Sequence, residues 1–163
     1  FCRAVSPVFL ELLYKIFEQL TNQRIDDIID DNNGIRTYSL TTYESAPAQN
    51  LQTNIVTMLR DFSGQMLNSE NLIRLINAHI SLYDDIDANR EIENRIDYIR
   101  DFEKSIRNKI AHQLVNMNNR NGEYSGRVER VLNEIKALYS AVYGKEDHWD
   151  NYDKINEYII EQL

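Results

Sequence analysis

Apolar residues recur every three or four positions from Ile92 to Met117, and this repeat constrains the fold more than any other feature of the chain. On a helical wheel that advances about 100° per residue from Ile92, the repeat falls within about 40° of one line. The residues on that line are Ile92, Ile96, Ile99, Ile106, Ile110, Leu114 and Met117. Such a stripe is typical of a helix that buries one face. It predicts one long helix from about Ala88 to Met117.

The opposite face of this helix carries polar groups that folding does not need. Asn108 and His112 lie about 160° to 200° from the apolar line, and Arg107 lies on the flank. Together they form the string Arg-Asn-Lys-Ile-Ala-His. An imidazole beside an amide and a permanently charged guanidinium, on a surface that folding does not need, is a candidate site.

The length and composition favour a single helical domain. A chain of 163 residues suits one core, and five glycines and two prolines are too few for a sandwich or barrel. We therefore expect an all-α fold over residues 1–163 with minor strand content. The chain begins with Phe1 rather than methionine, which suggests a piece of a longer polypeptide.

The cellular setting follows from what the sequence lacks. Cys2 is the single cysteine, so a disulfide framework is excluded and a reducing cytoplasm is the expected location. No apolar run approaches the roughly 20 residues of a membrane span, and no signal peptide is visible. We expect a soluble protein without a membrane partner.

The net charge of −8 argues against a long DNA interface, because phosphate binding depends on lysine and arginine. The charge is unevenly spread. Between Lys104 and Arg130 six basic residues outnumber two acidic ones, a local balance of +4. A basic patch on an acidic body suits a short RNA better than a long duplex.

The stretch from Thr21 to Gln49 is hard to interpret because its periodicity fails. Its acids, Asn32-Asn33-Gly34 and Pro47 indicate a long connection. Within it we predict a short helix near Ile25 to Ile29 and an extended piece near Ile35 to Leu40.

Helical spacing and capping residues predict the remaining elements. Before the long helix we predict a helix that starts at Ser6-Pro7 and runs from Val8 to Leu20, a helix from Leu51 to Met66, and a helix from a Ser69 cap to about Tyr83. A turn over Asp84 to Asp87 precedes the long helix, and a polar loop from Asn118 to Gly126 follows it. The chain then forms a helix from Val128 to Val142, ended by Gly144, and a short helix from Ile155 to Leu163.

The string Arg107-Asn108-Lys109-Ile110-Ala111-His112 resembles the Arg-x4-6-His signature of HEPN-domain ribonucleases. Its fuller Arg-Asn-x-x-Ala-His form resembles the type III CRISPR-associated accessory ribonucleases. The motif covers six residues, but an all-helical chain of this length is similar to a whole HEPN domain. HEPN toxins of toxin–antitoxin pairs place a tyrosine two residues after the histidine, where this chain has Leu114, so the toxin alternative is less favoured.

The resemblance implies a HEPN-like helical bundle and a metal-independent endoribonuclease that cuts single-stranded RNA without a cofactor. RNA supplies its own nucleophile, the 2′-hydroxyl, so cleavage needs proton transfer, charge stabilisation and alignment. His112 would act as general base or acid, and Arg107 would hold the non-bridging phosphate oxygens. Asn108 would orient the histidine or the phosphate. The products would be a 2′,3′-cyclic phosphate and a 5′-hydroxyl.

The basic patch and the loop predicted after the motif helix supply the candidate RNA-binding residues, which are Lys104, Lys109, Arg120 and Tyr124. One histidine cannot easily serve both sides of the scissile bond, and similar HEPN enzymes are homodimers. The small or apolar Ala111 and Val115 flank the site, so we expect a composite site from two chains. The resemblance also implies a sensor domain, absent from this chain, that binds cyclic oligoadenylate.

Plainer interpretations remain open. The chain could be a non-catalytic helical dimerisation module, and Arg107 could form a surface salt bridge with Glu103. His79 lies among apolar residues, which favours a buried structural histidine. His148 beside Trp149 favours packing or a surface role over base stacking. The acidic run Asp26 to Asp31 lacks the spacing of an EF-hand and is expected to be solvated.

Overall fold

Helices dominate the computed structural model, which describes residues 2–82, 86–107 and 121–143. The elements in chain order are α1 (Cys2–Thr21), a 3₁₀ turn (Ile25–Ile28), β1 (Ile29–Asn32), β2 (Ile35–Tyr38), α2 (Leu40–Ser45), α3 (Thr53–Phe62), α4 (Ser69–Ile80), α5 (Ile86–Phe102), a π turn (Glu103–Arg107) and α6 (Asn121–Tyr143). The prediction of an all-α bundle with minor strand content is confirmed.

The core lies between α1, α4, α5 and α6. Helix α1 packs against α4 and α6, α5 packs against α6 and α4, and α3 closes on α4. Side chains that these helices bury completely are Phe9, Leu13, Phe17, Ile55, Leu59, Leu72, Leu75, Ile76, Ile96, Ile99, Val131 and Leu138. Their spacing of three or four residues within each helix explains why one face of each helix is excluded from water.

A tight hairpin organises the stretch that the sequence left least defined. Strands β1 and β2 pair antiparallel, with Ile29 opposite Tyr38 and Asn32 opposite Ile35. Asn33 and Gly34 have φ angles of 57° and 82°, as the two central residues of a type I′ turn require. The short helix near 25–29 and the extended piece near 35–40 are confirmed. The long connection predicted over 21–49 holds more regular structure than expected, because Asn33-Gly34 makes a hairpin turn and β1 and α2 also form.

Helix α3 ends at Phe62 and not at Met66 as expected. Gly64 has a φ of 81°, which ends the helix, and its N–H donates to Tyr38 O at 2.8 Å. Met66 then pairs with Thr37 as an added edge of the hairpin and is 67% exposed. Residues whose apolar spacing suggested a helix therefore pair with the edge of β2 instead.

The predicted starts of α1, α4 and α5 were wrong. Helix α1 begins at Cys2 instead of Ser6-Pro7, so Pro7 costs one hydrogen bond of the second turn instead of starting the helix. The N-cap of α4 is Asn68 and not Ser69, because the Asn68 side chain accepts from Asn71 N. Helix α5 begins at Ile86, inside the turn predicted over Asp84 to Asp87.

The polar loop predicted from Asn118 to Gly126 is wrong from Asn121 onward, because α6 already begins there. Gly122 and Gly126 both lie in this helix, and a glycine in a helix interior costs about 1 kcal/mol. The buried Val131, Ile135 and Leu138 further along the same helix offset that cost. The predictions for Gly144, for His148-Trp149 and for Ile155 to Leu163 lie outside the described residues.

Candidate active site

The face of α5 that leads to the motif is fixed by its apolar stripe. Ile96 and Ile99 are fully buried, Phe102 is 3% exposed, and Ile92 packs against the core from its edge. The predicted stripe is therefore confirmed as far as Ile99. Because this stripe is buried against α6 and α4, it sets the orientation of α5, which leads into the motif.

A π turn replaces the α-helix where the motif begins. The α-helical part ends at Phe102, and Glu103–Arg107 follows with π geometry. Ser105 Oγ donates to Asp101 O at 2.6 Å across this junction. A single π turn inside a helix occurs frequently at functional sites. The prediction of one unbroken α-helix is therefore wrong here. Each extra residue that the wider π turn inserts rotates the helical-wheel positions of all later residues by about 100°.

Glu103, the first residue of the π turn, is a buried acid at 3% exposure. Its Oε2 accepts from Arg100 Nη1 at 2.9 Å and from Ser69 Oγ at 3.1 Å. The Glu103 carboxylate therefore lies inside the fold and not at the surface as considered, and its pairing with Arg107 involves a side chain outside the described part of the chain. On the original wheel Glu103 falls at about 20°, within the apolar stripe. A charge at a core position was the available signal for this residue.

Arg100 links the end of α5 to the first turn of α4. Its Nη1 donates to Ser69 Oγ at 3.1 Å as well as to Glu103, and its Nη2 donates to Glu70 Oε2 at 2.9 Å. Lys104 Nζ lies 3.7 Å from the same Glu70 oxygen. Hydrogen bonding from Arg100, and then the charge of Lys104, lowers the pKa of Glu70. These residues form a network of alternating charge, which we call the Arg100 network.

A polar groove of about 610 Å³ borders the Arg100 network. Its lining residues are Leu10, Gln65, Leu67, Asn68, Ser69, Glu70, Asn71, Arg100 and Glu103. Its volume falls within the range of small-molecule sites. Amide and guanidinium groups can donate hydrogen bonds to a nucleotide, whereas the two carboxylates disfavour a bare anion at the same position.

A second groove, of about 390 Å³, lies between α5 and α6. Arg130 stacks over the Tyr98 ring at 4.2 Å from the centroid. Arg95 joins the two helices by donating to Glu134 Oε2 at 2.6 Å. This ion pair is a structural bridge, and the stacked Arg130 and Tyr98 offer a flat surface beside it.

Only some of the sequence-predicted site residues lie in the part of the chain that the structure describes. Lys104 is on the surface, its side chain 55% exposed. For Arg107 the backbone closes the π turn, and its side chain lies outside the described part of the chain. Tyr124 belongs to α6, so its predicted placement in a loop was wrong. The other predicted residues, Asn108, Lys109, His112 and Arg120, lie outside the described residues.

Two further predictions concern residues that were expected to be structural or solvated. His79 is 4% exposed, and burial lowers its pKa despite a hydrogen bond with the Leu20 backbone. The expectation of a buried structural histidine is confirmed. Asp26 is on the surface and pairs with Arg24 and Arg36, each at 3.2 Å. Within residues 2–82, 86–107 and 121–143, no three His, Cys, Asp or Glu side chains converge as a metal site would require.

A family model described as the Cas_Csm6 HEPN domain matches residues 1–160, which include the motif at 107–112. No curated protein and no solved structure matches the chain. Among the helices that the structure describes, none combines the length and the apolar character needed to cross a bilayer.

Proposed function

The chain belongs to the Cas_Csm6 HEPN domain family, and on that basis we propose that it is a metal-independent endoribonuclease that cuts single-stranded RNA. Membership supports a CRISPR-associated ribonuclease effector in general. The observation that carries the finer proposal is the Arg-Asn-x-x-Ala-His motif at 107–112, inside the matched residues. The π turn that ends at Arg107 supports it, since such turns are frequent at functional sites.

The proposed reaction uses the 2′-hydroxyl of the RNA as nucleophile. His112 accepts its proton or protonates the departing 5′-oxygen, which typically contributes about 10²- to 10⁴-fold. Arg107 stabilises the charge that develops on the non-bridging oxygens, and Asn108 orients the histidine or the phosphate. The products are a 2′,3′-cyclic phosphate and a 5′-hydroxyl, so DNA is not cut.

We propose that two chains form one composite site. A base is needed on the 2′ side and an acid on the 5′ side, and two copies of His112 meeting across a two-fold axis supply both. Lys104, whose ammonium is exposed beside the motif, contributes to RNA binding from each chain. Lys109, Arg120 and Tyr124 are the other proposed RNA contacts.

We also propose that residues 1–163 act as the effector domain of a longer protein. The resemblance noted above implies a sensor domain that binds cyclic oligoadenylate and activates the ribonuclease. In this proposal the described helices provide the scaffold, and a ligand bound elsewhere changes how the two motifs approach one another.

The test is cleavage of single-stranded RNA in the presence of EDTA. We expect cleavage by the wild-type chain and loss of it in Arg107→Ala and in His112→Ala. Arg60→Ala, which removes an exposed arginine from the end of α3, is the matched control and should stay active. An RNA that carries a single deoxynucleotide at the cleaved position should resist. Equal cleavage by all variants would indicate contamination and contradict the assigned residues.

The alternatives give different results in the same assay. A non-catalytic dimerisation module would form dimers without cutting any RNA. A toxin would arrest growth on expression by itself and require a partner antitoxin. Leu114, at the position where those toxins carry tyrosine, favours the CRISPR-associated function.

A further inference from the structure

We propose that Glu103 is a positioning residue for RNA cleavage, because its buried carboxylate locks the π turn that carries Arg107 onto the first turn of α4. The inference rests on the proposed ribonuclease function. It concerns a residue that neither the motif nor the family match assigns a role.

Two hydrogen bonds to Glu103 converge on one carboxylate oxygen. Oε2 accepts from Arg100 Nη1 at 2.9 Å, within the same helix, and from Ser69 Oγ at 3.1 Å, across to α4. Arg100 Nη1 also donates to Ser69 Oγ at 3.1 Å, which closes a triangle of three hydrogen bonds. The Glu103 side chain is only 4% exposed, so water does not compete strongly for these bonds.

Stability alone does not account for a charge at this position. Glu103 occupies a place in the apolar stripe of α5, where a leucine or isoleucine would fill the core without desolvating a carboxylate. Replacing a buried ion pair by apolar residues is often neutral or stabilising. Apolar side chains can shift against one another and stay in contact. The three hydrogen bonds that join Glu103, Arg100 and Ser69 form in only one position of the π turn relative to α4. The arrangement therefore favours a fixed register over extra stability.

The fixed register has a consequence for Arg107. Glu103 and Arg107 are the first and last residues of one π turn, so anchoring the first to α4 determines where the backbone of the last lies. A misplacement of about 1 Å can reduce a rate about 100-fold when catalysis depends on alignment. Loss of the anchor should therefore lower kcat, while RNA binding through the exposed Lys104 changes little.

The test compares Glu103→Leu and Glu103→Gln with wild type in the full chain. Leucine fills the core position without accepting hydrogen bonds, so we expect kcat to fall at least about 10-fold with KM within about twofold. Glutamine keeps an oxygen acceptor for Arg100 and Ser69 and should recover much of that loss. The matched control is Glu134→Gln, which alters the Arg95 ion pair between α5 and α6 and leaves the π turn untouched.

Two further variants separate positioning from folding. Ile76→Val removes a methylene from the core and should lower the urea midpoint of unfolding without changing kcat. Ser69→Ala removes the α4 side of the triangle with little change in volume and should lower kcat several-fold while the chain stays folded. If Glu103→Leu is unfolded, Ser69→Ala and Glu103→Gln decide, and wild-type kcat in both overturns the proposal.

A folded Glu103→Leu with wild-type kcat also overturns it. If kcat falls equally in Ile76→Val and Glu103→Leu, the loss follows from stability and the positioning role is wrong. Wild-type chain that cuts no RNA at all contradicts the proposed function instead. The failures of the two proposals are thus distinguishable.

Discussion

Asn68 caps α4 through Asn71, whose backbone N–H donates to Asn68 Oδ1 at 2.8 Å. Replacing Asn68 by alanine leaves that N–H without its acceptor and should lower the unfolding free energy by about 1 kcal/mol. Asn68→Asp keeps the acceptor for the Asn71 N–H but loses the Nδ2–H donor to Met66 O at 2.8 Å. It should therefore unfold at a higher urea concentration than Asn68→Ala, though below that of wild type. Equal midpoints for the alanine and aspartate variants would contradict the cap assignment.

Gly34 and Gly126 should respond in opposite directions to alanine. Gly34 has a φ of 82°, which strains any L side chain, whereas Gly126 lies inside α6. Nothing lies within 4 Å of the Cβ position at either glycine, so neither effect comes from a clash. We expect Gly34→Ala to destabilise by about 1 kcal/mol and Gly126→Ala to stabilise by about 0.5 to 1 kcal/mol in urea unfolding. Destabilisation by Gly126→Ala would instead favour the loop that the sequence predicted there.

The sequence predicts the parts of the fold that local physics decides. Apolar spacing alone identifies the buried face of α5, because Ile96 and Ile99 repeat with the helical period. It fails where long-range pairing overrides spacing. Met66 continues the apolar pattern of α3, yet its backbone pairs with Thr37 of the hairpin. No local signal at Met66 reveals that a distant strand edge is available.

The candidate site shows a similar division. The motif can be recognised from the sequence because its residue types indicate the chemistry, and the family match confirms the HEPN resemblance. The network behind it was missed, since Ser69 and Arg100 lie 31 residues apart and meet only in the folded chain. The π turn was missed because a wheel of constant angle cannot represent a change in helical pitch. The sequence signal for both the network and the π turn was Glu103, an acidic residue on the apolar line of the helical wheel.

His79 makes stability depend on pH. Burial lowers its pKa below the ordinary 6.5, so the folded chain resists a proton that the unfolded chain accepts. The unfolded state therefore binds more protons between the lowered pKa and about 6.5, and stability falls as the pH falls through that window. In His79→Gln this contribution is absent. Urea unfolding at about pH 7 and about pH 5 should show a smaller acid loss in the variant, and equal losses would contradict it.

Lys104 should contribute to RNA affinity through its charge. Its side chain and that of Glu70 are each more than half exposed, so their 3.7 Å ion pair is weak and leaves the ammonium available. Lys104→Ala should reduce the slope of log binding constant against log salt by about 0.7, the value for one phosphate contact on a single strand. Lys15→Ala on α1 is the matched control. Equal slopes in both variants would remove Lys104 from the RNA interface.

Mixed dimers test whether the site is shared between two chains. Wild-type chain is unfolded and refolded together with an equal amount of His112→Ala chain, so that random pairing puts about half of the wild-type chains into mixed dimers. If each cleavage needs both histidines, those mixed dimers are inactive and activity per wild-type chain falls to about half. A larger excess of the variant should lower it further, in proportion to the remaining wild-type pairs.

The control replaces the partner by Arg60→Ala, an active variant, which should leave activity per wild-type chain unchanged under the same refolding. A proton-transfer group missing on one side costs about 10²- to 10⁴-fold, so a mixed dimer with one histidine should contribute almost no product. Activity per wild-type chain that stays constant at every ratio would mean that each chain cuts alone. The shared site would then be wrong, while the assignment of His112 as a catalytic residue would stand.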